Sequence, residues 1–258
     1  MELNIFKIPL YYIAFNRNQS VEDHYKNMGF ENVNHFQAIV GKKLDIQALI
    51  QNQIISVRSY DDLMSGRSEH SGMTSIGAIG CSLSHCELWK LCVDNNWPYI
   101  IIAEEDNRMY GQLQASDIIK IQQTLSKPKS VFISVNIIKK DHRNQFFGSH
   151  FYIPSLAACK ELIKDFYPID VQLDWYIAHE STIGNISLEG FPISKQTTPF
   201  GKSSIQTKLC FKCILPKNIW FYVAVIALFL IILICIYVYR HKWIVCEKTC
   251  SSSREESG

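Results

Sequence analysis

The sequence predicts a three-layer α/β domain with a mostly parallel sheet between helices, followed by one C-terminal transmembrane helix. Three observations carry this prediction. Short apolar runs alternate with helix-patterned segments along residues 1–200. One run, Tyr99 to Ala103, is apolar at every position, as a strand buried on both faces requires. Finally, Ile219 to Tyr239 contains no charge, Pro, Gly, Asn or Gln.

The elements follow in order. Pro9 to Phe15 reads as a first strand ending at Asn16 and Arg17. Val21 to Met28 has helical character and is closed by Gly29, and Asn34 to Val40 reads as a second strand before Gly41. Residues 52–75 are polar and rich in Gly and Ser, and are expected to form a mobile loop. A helix is predicted from Thr74 or Ser75 to Asn95, because Ile76, Ile79, Leu83, Cys86 and Leu91 keep helical spacing. Pro98 precedes the Tyr99–Ala103 strand. Helix at Ile118 to Leu125, strand at Ser130 to Val135 and helix at Ser155 to Phe166 complete the alternation.

The 21 residues from Ile219 to Tyr239 span about 30 Å as a helix, the thickness of a bilayer's hydrocarbon core. Trp220, Tyr222, Tyr237, Tyr239 and Trp243 stand near its ends, where amphipathic rings favour the headgroup region. A buried core helix rarely runs so long without interruption. The expected organisation is a catalytic-type domain at 1–200, a juxtamembrane linker at 201–218, the span at 219–239 and a short disordered tail at 240–258. The N-terminus has no basic region followed by a small-residue cleavage site. A single-pass, tail-anchored protein with residues 1–218 in the cytosol is therefore expected. Lysines and arginines flank the span evenly, so charge does not orient it. The sequons at Asn18 and Asn185 would be used only in a lumenal domain.

Of the chain's 258 residues, 47% are hydrophobic and 19% charged, with a formal net charge of +2. The near-neutral charge excludes a nucleic-acid binder held by bulk electrostatics, and the apolar content excludes general disorder. Of the nine cysteines, Cys81, Cys86, Cys92 and Cys159 fall in apolar helical patterns, where free Cys acts as a small hydrophobe. Cys210 and Cys213 form one unpaired CxxC, a weak zinc signal.

Two runs carry chemistry. In Tyr99-Ile-Ile-Ile-Ala-Glu-Glu-Asp-Asn107 an apolar strand ends abruptly in Glu104, Glu105 and Asp106. Ligands of open α/β sheets bind beyond strand carboxyl ends, and adjacent carboxylates repel unless a cation lies among them. A hard divalent ion bridging to a diphosphate satisfies this; a solvated acidic turn is the alternative. In Gly77-Ala-Ile-Gly-Cys-Ser-Leu-Ser-His-Cys-Glu-Leu-Trp89, Gly77 and Gly80 allow close backbone approach at a helix start, where exposed amides attract phosphate. Ser84 and His85 add polar groups there. A helical His is also commonly a satisfied core residue.

Together the two runs resemble glycosyltransferase family 25, the lipooligosaccharide galactosyltransferase and collagen galactosyltransferase-like family. Its G-E-I-G-C-x-L-S-H-x-x-x-W stretch is matched by GAIGCSLSHCELW, and its strand ending L-E-D-D by IIIAEED. Gly148-Ser-His-Phe-Tyr-Ile-Pro-Ser-Leu-Ala-Ala158 and Tyr167-Pro-Ile-Asp-Val-Gln-Leu-Asp174 are similar to a later family block. Asn16-Arg17 with Phe36-Gln-Ala-Ile-Val-Gly41 is similar to its opening.

The resemblance implies a GT-A-like nucleotide-sugar-binding fold. It also implies metal-assisted, inverting transfer of a sugar, from a UDP-sugar by preference, to a glycan or protein hydroxyl. Carried across, Glu104 and Asp106 are expected to bind a divalent Mn or Mg ion. Gly77, Gly80, Ser84, His85 and Glu105 are expected to face the donor. Asp170 or Asp174 is expected to act as the catalytic base, with a helix N-cap as the alternative for Asp170. Arg58 and Arg67 are on offer for the diphosphate. Two departures stand out: Ala78 occupies the position of a family acidic residue, and Glu105 replaces a central Asp. They open a second reading, an inactive relative acting as a membrane-displayed binding or interaction protein. The abundance of Ile, Asn and Lys fits an AT-rich genome, and large DNA viruses carry members of this family; a viral protein in a host membrane is an expectation consistent with both.

Overall fold

A computed structural model of the chain describes residues 3–66, 72–73, 75–197, 225–234 and 236. The chain divides into two units, Met1–Cys210 and Phe211–Gly258.

The first unit begins with β1 (Leu10–Ala14), α1 (Gln19–Asn27), β2 (Val33–Gln37), α2 (Ile46–Gln51) and α3 (Val57–Ser65). The long α4 (Ile76–Asp94) follows, then β3 (Ile101–Glu104), β4 (Asn107–Met109), α5 (Ala115–Leu125) and β5 (Ser130–Ile133). It ends with β6 (Ile138–Lys140), β7 (Arg143–Gln145), β8 (Phe151–Pro154), α6 (Leu156–Lys164), α7 (Leu173–Thr182), β9 (Ser187–Gly190) and β10 (Ser194–Gln196). Local chemistry sets several helix starts. The side chains of Asn18, Ser56, Ser75 and Ser155 accept from backbone amides of the first turns of α1, α3, α4 and α6.

The six-stranded sheet has the order β2-β1-β3-β8-β5-β9. β1 pairs in parallel with β2 and β3, and β5 with β9. β8 runs against both of its neighbours, β3 and β5. The sheet is thus mostly parallel, with one reversed strand near its middle. Its alternating side chains feed two cores. Ile102, Tyr152, Val131 and Ile133 join α4, α6 and α7 on one face. Ile101, Ala103, Phe132, Phe151 and Ile153 join α1 and α5 on the other. The three expected layers are therefore present; β5 and β8 are buried along their whole length and β3 at all residues but Glu104, as apolar strands covered on both faces must be.

The structure corrects the expectation of a loop at 52–75. Residues 57–65 form α3, capped by Ser56 and closed by Gly66 at φ 62°. The helix escapes a reading by composition because it packs mainly through Tyr60 and Leu63, with the buried Ser59 hydroxyl donating to the Ile169 carbonyl at 2.9 Å. Residues 67–71 and 74 lie outside the described residues.

In the second unit, residues 225–234 are helical, and their large apolar side chains are exposed, Phe229 by 60%. Among the described residues no helix is long and apolar enough to cross a membrane. The expected linker, both ends of the expected 219–239 span and the expected tail lie outside the described residues.

Candidate active site

A cavity of about 1050 Å³ opens at the carboxyl ends of β1, β2 and β3. The segments after these strands (Phe15 to Asn16, Ala38 to Lys43 and Glu105 to Asp106) meet the start of α4 at Ser75 to Gly77. This is where an open α/β sheet presents ligand sites.

The wall between β2 and α4 is built by backbone contact. A Cβ on Gly80 would stand 2.4 Å from the Ile39 carbonyl oxygen, and one on Gly41 would stand 2.2 Å from the Ile76 carbonyl oxygen. Only glycine fits at both places. Ser84 locks the contact: its hydroxyl accepts from the Ile39 amide at 2.9 Å and donates to the Gly80 carbonyl at 2.7 Å.

The floor is acidic. Burial, with the charges of Asp106 and Asp174, pushes the Glu104 carboxyl up to about 8. Asp106 Oδ1 is buried without a hydrogen-bond partner, while its backbone carbonyl accepts from the amide and hydroxyl of Thr197, each at 2.8 Å. Arg108 Nη1 donates to the Glu105 and Asn107 carbonyls at 2.7 Å and braces the turn. Glu105 is held by Asn18, whose Nδ2 donates to its Oε1 at 3.1 Å.

Two imidazoles border this floor. His85 is fully buried on α4, and its Nδ1 lies 2.9 Å from the Tyr152 hydroxyl, which also accepts from Trp89 Nε1 at 2.9 Å. His85 Nε2 has no hydrogen-bond partner and lies 3.9 Å from Glu104 Oε1. Burial pushes the His85 ring down to about 3, so it is neutral. His150 is also buried, and neither ring nitrogen has a hydrogen-bond partner; burial lowers it while nearby Asp106 opposes this.

Six of the residues singled out from the sequence line the cavity: Gly77, Ser84, His85, Glu104, Glu105 and Asp106. Gly80 does not; its close approach is to Ile39 and Gly41 of the same chain. The two candidate bases separate. Asp170 accepts from Ser56 Oγ at 2.5 Å and pairs with Arg58 at 3.3 Å, tying α3 to the segment before α7. Asp174, in the first turn of α7, acts electrostatically on Glu104 and on Cys81, and its Oδ2 accepts from the Gly148 amide at 3.3 Å. Arg67 lies outside the described residues, and the cations lining the cavity are Lys42, Lys43 and Arg108. Sequence reasoning assigned no role to His150, although it stands inside the Gly148-Ser-His block. It read Cys81 as a small hydrophobe, whereas Cys81 lines the cavity beside His85.

The model of the family described as Glycosyltransferase family 25 (LPS biosynthesis protein) matches residues 13–145, which include the end of β1, all of α4 and the acidic turn. A "Glycosyltransferase 25 family member" of Drosophila pseudoobscura pseudoobscura is 30% identical over 110 residues, 43% of this chain and 17% of that relative. Another, from Drosophila melanogaster, is 32% identical over 92 residues, 36% of this chain and 14% of the relative. The matched stretches thus span less than a fifth of either relative's length. The family match, by contrast, takes in more than half of this chain, from the end of β1 through the acidic floor. On that extent of agreement, the chain belongs to glycosyltransferase family 25.

Proposed function

We propose that the chain is a glycosyltransferase that moves a sugar from a nucleotide-diphosphate donor, a UDP-sugar by preference, to a hydroxyl of a glycan or protein acceptor. The observation that carries this reading is the crowding of acidic groups at the cavity floor, where Glu104 and Asp106 line the cavity and the charge of nearby Asp174 also reaches Glu104. Three carboxylates so close are costly unless cationic charge lies among them. The buried, unpartnered Asp106 Oδ1 is a ready oxygen ligand, so the residues present fit a divalent Mn or Mg ion held by Asp106 and Glu104. Such an ion, when bound, supplies positive charge to a departing diphosphate.

The protein's own groups do the rest. Lys42, Lys43 and Arg108 line the same cavity and offset diphosphate charge. Gly77 lets the donor approach the start of α4, and Ser84 holds that wall in place. Neither candidate base lines the cavity, but Asp174 is the one whose charge reaches Glu104; in this reading it takes the proton from the acceptor hydroxyl as that oxygen attacks the sugar, which is the demand of an inverting transfer. Asp170 is engaged in tethering α3. The apolar, exposed stretch at 225–234 supports a single-pass anchor over 219–239; in this reading the catalytic unit is cytosolic.

A second reading keeps the fold without turnover, as a membrane-displayed binding module. Ala78 favours it, since this buried methyl stands where the family pattern has an acidic residue. One experiment separates the two. Calorimetric titration with UDP and Mn²⁺ is expected to show metal-dependent binding that Asp106→Asn abolishes, and incubation with UDP-sugars is expected to release UDP. Binding without turnover for any donor supports the second reading; no binding overturns the first.

A further inference from the structure

We propose that Cys81, His85 and Glu104 form a binding site for a thiophilic divalent cation, of the class of Zn²⁺ or Co²⁺, that shares Glu104 with the hard-ion site at the acidic turn but differs from it in its other ligands. The site stands whether or not the cavity transfers sugar. Cys81 and His85 lie one turn apart on α4 and face the same way, and Glu104 ends the adjacent strand β3. One ligand atom from each, Sγ, a ring nitrogen and a carboxylate oxygen, all fall within 4.8 Å of one another. Ligands of a tetrahedral zinc ion, at about 2.0–2.3 Å from the metal, stand about 3.3–3.8 Å apart. Rotamer shifts of the cysteine and the glutamate close that gap. All three residues line the cavity, which leaves a fourth position open to it.

An independent observation points to a ligand here. His85 is fully buried, and its Nε2 has no partner although its other nitrogen is engaged by Tyr152. If the tyrosine proton occupies that bond, Nε2 carries the ring proton and has no acceptor for it. With an ion on Nε2, the proton moves to Nδ1, and the Tyr152 oxygen accepts from both His85 and Trp89. That is the outer-shell arrangement ligating histidines use. Charge also balances: a thiolate and a carboxylate neutralise a divalent cation, the Cys81 thiol proton and the Glu104 carboxyl proton both leaving to solvent. A thiolate selects Zn²⁺ or Co²⁺ over Mg²⁺ and Mn²⁺, so the two classes of ion separate although both draw on Glu104.

Cobalt is the probe, because a cysteine-bound Co²⁺ has a sulfur-to-metal charge-transfer band. The full chain, purified in mild detergent with its thiols reduced, is titrated with CoCl₂ and compared with Cys81→Ser. The expected result is a charge-transfer band in the wild type that exceeds the variant's by one equivalent of Co²⁺, the other cysteines cancelling in the difference. His85→Gln is expected to weaken the same band's titration at least about tenfold. Identical spectra for wild type and Cys81→Ser, with both folded by circular dichroism, overturn the proposal. If Cys81→Ser does not fold, His85→Gln decides in the same way. Mn²⁺ binding, read separately by electron paramagnetic resonance, tests the acidic-turn site, so either site can fail without the other.

Discussion

His85 Nε2 and Glu104 Oε1 face each other across 3.9 Å, yet they do not form an ion pair near neutral pH. Burial pushes the imidazole down to about 3. Burial and the charges of Asp106 and Asp174 push the carboxyl up to about 8. Both groups are neutral over most of the range in which they would ordinarily attract, and the floor of the cavity is held short of charge until a cation arrives.

A pH dependence follows. The folded Glu104 carboxyl titrates above its unfolded value of about 4.5, so its contribution to stability is full below about 4.5 and is lost as pH rises to about 8. The melting temperature of metal-free wild type, measured from pH 5 to 8, is expected to fall more steeply than that of Glu104→Gln. Parallel curves for the two proteins would exclude this charge state. Mn²⁺ is expected to raise the wild-type melting temperature most at the upper end of that range.

The two aspartates are expected to behave differently. Asp174→Asn should lower the rate of sugar transfer by about 10²–10⁴-fold while leaving UDP binding in place. Asp170→Asn should keep most of the rate and cost no more than about 1 kcal/mol in stability, since its pair with Arg58 is nearly half exposed. Steady-state kinetics beside urea denaturation read both effects, and a reversed pattern would move the base to Asp170.

Gly80→Ala tests whether that glycine serves packing. Its added methyl meets the Ile39 carbonyl, so a loss of about 1–3 kcal/mol is expected in chemical denaturation. Ser84→Ala removes the acceptor of the Ile39 amide and should cost about 1–3 kcal/mol as well. Unchanged denaturation midpoints for both variants would release this wall for a purely ligand-facing role.

The apolar segment makes a separate prediction. The full chain is expected to float with lipid vesicles, and a fragment of residues 1–218 to remain in the soluble fraction. In sealed vesicles from cells, external protease should digest the N-terminal unit. Protection of that unit would place it on the lumenal side.

The sequence by itself determined those features whose causes are local. Ser75 followed by apolar residues at helical spacing announces α4, and a strand apolar at every position announces β3 with buried faces on both sides. The GCSLSH and EED runs identify the family and the acidic floor. Strand direction at β8, the helix hidden in the polar stretch at 57–65 and the role of Gly80 were decided by the tertiary structure. So were the separation of Asp174 from Asp170 and the meeting of Cys81 and His150 with the floor. Caps, turns and periodicity act over a few residues. The direction of a strand depends instead on which neighbours bury it, and a side chain reaches a cavity only when distant segments pack around it. Asp170 and Asp174 are near neighbours in one motif, yet the turn into α7 directs one to Ser56 and Arg58 and brings the other to Glu104.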